Sequence, residues 1–166
     1  MSTPKIENFT IHNNRGQSIL DSELINWREV VFGEENEIFG PLIGYSWKIG
    51  EHVLYLSRDK GYLCELPDAS GFICFEDGFS ANNNCLLLNA FGLERMRLTV
   101  PVELTKRDIP KTNQMYFCNI SSHIEGQFGV RAWIEASGSG GYLEGDWYFE
   151  LDYHTGQFLW GREMRS

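Results

Sequence analysis

The chain has little of what most readable chemistry requires. Its 4 cysteines, Cys64, Cys74, Cys85 and Cys118, form no Cys-x-x-Cys pair, and none stands near a histidine at zinc-ligand spacing. Each lies in an apolar run, the pattern of small buried thiols in a reducing cytosol rather than of a metal or redox centre. Lys and Arg number 14 against 23 Asp and Glu, a net charge of −9. Nucleic-acid binders need clustered cations on one face, so a nucleic-acid partner is excluded, and an acidic surface also repels anionic membranes. No apolar run approaches the ~18 residues of a membrane span. Met1 to Lys5 carries no apolar stretch, so no secretory signal is expected and the protein reads as cytoplasmic.

Catalytic signatures are equally sparse. No serine sits in a Gly-x-Ser-x-Gly elbow. The glycine-rich run Ser137 to Gly141 lacks the Lys-Ser/Thr and the following helix of a phosphate loop, and reads as a hairpin connection. His12, His52, His123 and His154 are scattered, and nothing binds them into a catalytic set. No cofactor or metal is expected, and the chain reads as a binding protein rather than an enzyme.

What is present is a strong β pattern. Apolar residues make up 42% and aromatics 14% of 166 residues, enough for one domain over 1–166 with its own core. From Tyr142 to Trp160, Trp147, Phe149, Leu151 and Tyr153 alternate with Asp146, Tyr148, Glu150 and Asp152. Period two predicts a half-buried strand, and His154-Thr155-Gly156 supplies a turn before a return strand carrying Phe158 and Trp160. Phe149, Leu151 and Trp160 are expected inside, and the acidic parity outside.

Other strands are predicted at Ile6 to Ile11, Tyr45 to Ile49, His52 to Ser57, Tyr62 to Leu66, Phe72 to Glu76, Cys85 to Asn89, Glu94 to Leu104, Met115 to Ile120 and Phe128 to Ala136. Pro101 cannot donate to a ladder, so the Glu94 strand is expected at an edge or broken there. Leu20, Leu24, Trp27 and Val31 recur at helical spacing, which predicts a single helix over Leu20 to Phe32. About ten strands and one helix imply a mainly β fold, an antiparallel β-sandwich or partly closed barrel.

Leu151 to Trp160 resembles the Asp-x-x-Thr-Gly-x-x-x-Trp segment of β-propeller blades in quinoprotein dehydrogenases. That segment repeats once per blade; here it occurs once and implies only the hairpin. Glu144 to Glu150 is similar to the Glu-x-Asp-x-x-Glu strand of some jelly-roll glycosidases, with Glu150 four residues after Asp146 rather than three. That likeness implies a carbohydrate-active or carbohydrate-binding jelly roll as one alternative, and a small-ligand-binding β-barrel is another.

The uneven charge points elsewhere. Arg95, Arg97, Lys106, Arg107 and Lys111 concentrate the cations, while Glu34, Glu35, Glu37 and the hairpin carboxylates make other regions acidic. In size, charge and β content the chain resembles the small acidic immunity proteins with which bacteria block nuclease toxin domains. The resemblance implies docking on a basic protein partner and no catalysis. The binding residues expected on the polar parity are Trp133, Glu144, Asp146, Tyr148, Glu150 and Asp152.

Overall fold

The computed structural model describes residues 3–20, 41–77, 81–110, 112–121, 128–135 and 145–164. The helix expected over Leu20 to Phe32 lies almost wholly outside them. Among the described residues the fold is β, with twelve strands in three antiparallel four-stranded sheets. The helical content described is a pair of short 3-10 turns, Arg58–Lys60 and Val102–Thr105. None of the sheets closes into a barrel; all are open and ordered from edge to edge.

The chain divides into two compact units, one of Met1–Cys74 with Leu88–Leu93, the other of Phe75–Leu87 with Glu94–Ser166. The divisions fall inside strands or tight turns, where no linker composition could mark them.

In the first unit, β1 (Glu7–Asn13), β2 (Ser18–Leu20), β3 (Leu42–Ile49) and β4 (His52–Ser57) form a sheet of order β2-β1-β3-β4. Its inner parity buries Ile11, Tyr45 and Trp47. Phe9 stacks on Tyr45 at 5.6 Å between ring centroids, and Trp47 meets Phe72 edge-on at 4.6 Å. Such offset and edge geometries are the favourable ones for aromatic quadrupoles. The Trp47 indole N–H donates to the Ala90 carbonyl at 2.7 Å, so this buried ring leaves no polar atom unmatched.

A second sheet has the order β5-β6-β7-β8, from Tyr62–Glu65, Gly71–Phe75, Cys85–Asn89 and Glu94–Leu98. β6 is buried at every position, as its continuous apolar run requires. β8 ends at Leu98, well short of the expected Leu104: Pro101 introduces the 3-10 turn instead of extending the ladder. Met96 of β8 is at the surface, its sulfur packed against Gly156.

The third sheet lies in the second unit. β9 (Met115–Ser121), β10 (Gly129–Ile134), β11 (Asp146–Asp152) and β12 (Gln157–Glu163) give the order β12-β11-β10-β9. Its inner parity buries Phe117, Val130, Ala132, Trp147, Phe149 and Leu151. Phe158 closes this core, stacking on Phe117 at 5.9 Å and meeting Phe149 at 6.1 Å. The buried amide of Asn84 completes the outer edge of β9: it donates to the Phe117 carbonyl at 2.9 Å and accepts from the Phe117 N–H at 2.8 Å. One side chain thereby stands in for a missing ladder neighbour.

Candidate functional site

The candidate site is the outer parity of the third sheet, where the sequence-predicted residues Trp133, Asp146, Tyr148, Glu150 and Asp152 fall. Two irregularities decide what that face presents. A register shift between Arg131 and Ala132 leaves Cys118 as the extra residue of β9. A second, between Glu150 and Leu151, leaves Leu159 as the extra residue of β12. Each bulge reverses the parity of its strand.

The Leu159 bulge corrects the placement of Trp160. Phe158 faces Leu151 on the core side, whereas Trp160 faces Glu150 on the outer side. Trp160 is therefore half-buried rather than part of the core. Its ring tilts over Tyr148 at 5.3 Å between centroids. Tyr148 also lies across Gly129 of β10, so close that a Cβ there would overlap the ring. Covered on both sides, Tyr148 is 0% exposed. Glu150, paired across the sheet with Gly129 and Trp160, is 5% exposed. The expectation that Tyr148 and Glu150 form an exposed acidic and aromatic surface is thus corrected. Alternation assigned their face, but an aromatic ring covering a neighbouring glycine buries an outer face as thoroughly as a core does.

Asp152 is committed to the turn. Its carboxylate accepts from the N–H groups of His154 at 3.0 Å and Thr155 at 3.4 Å, the standard Asp role at a loop start. Asp146 is ion-paired with Arg131, its diagonal neighbour on β10. Arg162 is exposed on the same parity, opposite Tyr148. The face is therefore mixed in charge, not uniformly acidic. Glu144 lies outside the described residues.

Among the described residues, the accessible aromatic part of this face is a corner where β9, β10 and β11 meet. Trp133 pairs with Asp146 on one side and Tyr116 on the other. The Tyr116 and Trp133 rings stack at 5.6 Å with 24° between their planes, both half-exposed. Arg131 and Asp146 border the stack. Tyr116 was not among the residues expected from sequence; its pairing with Trp133 depends on the register set by the Cys118 bulge. Cys118 is exposed as a residue, but burial around its sulfur pushes the thiol up to about 11, and the Asp146 carboxylate adds to the shift. A thiol so raised is protonated and unreactive at neutral pH.

The corner offers a flat aromatic platform with a guanidinium–carboxylate pair beside it. Such a surface can bury area against a protein at small entropic cost, because stacked rings are already ordered. It does not offer two facing carboxylates for acid–base work, since Glu150 is buried and Asp146 is matched to Arg131. Among the described residues no group of three or more His, Cys, Asp or Glu could hold a metal ion. No helix among them is long and apolar enough to cross a membrane.

No family model and no curated protein matches the sequence. The fold is similar to that of a chain in a solved structure described as Tne2 in complex with Tni2, with a TM-score of 0.62 and 11% identity, covering 96% of this chain and 99% of that one.

Proposed function

We propose that this chain is a non-enzymatic binding protein that docks on a protein partner and neutralises it, in the manner of a bacterial immunity protein blocking a nuclease toxin domain in the cytoplasm. The observation that carries the reading is the likeness, over nearly the full length of both chains, to a chain whose structure was solved in a two-protein complex. At 11% identity the likeness concerns the fold, so the partner must be argued from this chain's own residues. The Tyr116–Trp133 stack supplies an aromatic anchor of the type that dominates interface energetics. The net charge of −9 favours a basic partner and speeds encounter with it. Asp146 and Arg131, ion-paired beside the platform, give the partner a polar border to the aromatic anchor.

The test is co-expression with the product of the gene directly upstream. The reading expects a stable complex and loss of the partner's toxic activity. A toxin-like neighbour that neither binds nor is inhibited would overturn it.

A further inference from the structure

The free edge of the first sheet has the properties of a pairing surface. β4 is an outer strand, and among the described residues no strand lies beyond it. Gly50 and Glu51 make the turn between β3 and β4, with positive φ at Gly50, which makes Ile49 and His52 the turn-closing pair. Hydrogen-bonded and non-hydrogen-bonded pairs alternate along an antiparallel ladder. Val53 and Tyr55, opposite Lys48 and Ser46, therefore fall in non-hydrogen-bonded pairs and aim their backbone N–H and C=O groups away from β3.

Natural edges are usually blunted by a charge, a proline or a bulge. The sequence of β4, His-Val-Leu-Tyr-Leu-Ser, has no acidic residue, lysine, arginine or proline, and its pairing with β3 runs without a register shift. It also holds Val53 66% and Tyr55 56% exposed, both on the outer parity of the sheet. An unprotected ladder lined by apolar side chains is a template for another strand.

We propose that the occupant is β4 of a second copy, paired antiparallel about a twofold axis at Leu54. The chain's own pattern selects that register. It places Val53 of each copy opposite Tyr55 of the other, aligning the outward-facing backbone groups of both. These are β-branched–aromatic cross-strand positions. The Tyr55 ring lies back over Gly44 of β3, its hydroxyl donating to the Ile43 carbonyl at 3.2 Å, so Val53 is the side chain most open to the seam. The same register places Glu51 of each copy opposite Ser57 of the other, with Arg58, whose guanidinium lies over the Tyr62 ring, and Asp59 just beyond the strand, so no carboxylate directly faces Glu51. Lys48 lies one strand further out on each side, so like charges do not face each other. The interface is isologous and closes as a dimer, leaving no new free edge at the seam.

Light scattering on the eluting protein over a series of chain concentrations tests this, with wild type and Val53→Lys compared. Val53 is exposed, so the variant should fold, and an unchanged circular dichroism spectrum verifies that it does. The expected result is a concentration-dependent dimer in wild type and a monomer in Val53→Lys. A wild type that stays monomeric at millimolar concentration overturns the proposal, and protection of β4 amides only when another protein is added would assign the edge to a foreign strand. A dimer unaffected by Val53→Lys would place self-association elsewhere and overturn it equally.

Discussion

The Tyr148 ring lies across Gly129 on the adjacent strand, and a side chain at that glycine would occupy the same space. Trp160 covers the ring from the other side at 5.3 Å. Gly129→Ala should therefore force Tyr148 out of its place. Overpacking of this kind costs about 1–3 kcal/mol, read as a lowered midpoint in urea unfolding with unchanged slope. Near-wild-type stability would mean that the ring is free to move, and that the outer face is looser than described.

Phe149 is fully buried on the opposite parity of the same strand, against Trp147 and Phe158. Phe149→Ala should cost about 3–5 kcal/mol. A loss below ~1 kcal/mol would show that this side of β11 does not pack a core.

Arg95 of β8 donates to the carbonyls of Tyr153 at 2.7 Å and His154 at 2.8 Å, while Met96 packs on Gly156. β8 thus straps the turn that joins β11 to β12. Arg95→Ala should lower global stability by about 1 kcal/mol and raise hydrogen exchange most at Gly156, whose N–H bonds the Asp152 carbonyl at 2.7 Å. Exchange that rises equally along β10 and β11 would argue against a local clamp.

Cys118 should label slowly with iodoacetamide near neutral pH, because burial and Asp146 hold its thiol up at about 11. The thiolate fraction, and with it the rate, should climb with each pH step toward that value. Asp146→Asn removes a charge that raises the value, so it should lower the apparent pKa and speed labelling. Labelling like that of an ordinary free cysteine, indifferent to Asp146, would refute the desolvated sulfur.

Much of the fold was legible. His52–Ser57 and Cys85–Asn89 have the bounds that alternation and turn residues indicated, and the β11–β12 hairpin follows the period-two pattern and the turn at Gly156. What stayed hidden belongs to partner strands rather than to any one strand. The Leu159 bulge turns Trp160 out of the core, and no residue near Leu159 announces it. Gly129 buries Tyr148 from a neighbouring strand, so the outer face could not be judged from β11 alone. Asp152 looked like a surface carboxylate because its turn-capping bonds are set by backbone geometry. β2, three residues long, is too short to show a period. At the candidate corner, the outer-parity placement of Trp133 and Asp146 was readable, and the placement of Tyr116 beside Trp133 required the β9–β10 register.

The central claim is that the Tyr116–Trp133 corner is an anchor for a protein partner. The measurement that tests it most directly is the dissociation constant for the partner identified by co-expression, by titration calorimetry, with wild type, Trp133→Ala and Tyr116→Ala. Both rings are half-exposed, so the variants should melt close to wild type. An interface anchor typically contributes 2 kcal/mol or more, so binding should weaken by roughly thirtyfold or more in each variant. Binding by both variants at wild-type affinity, with the fold intact, would contradict the account.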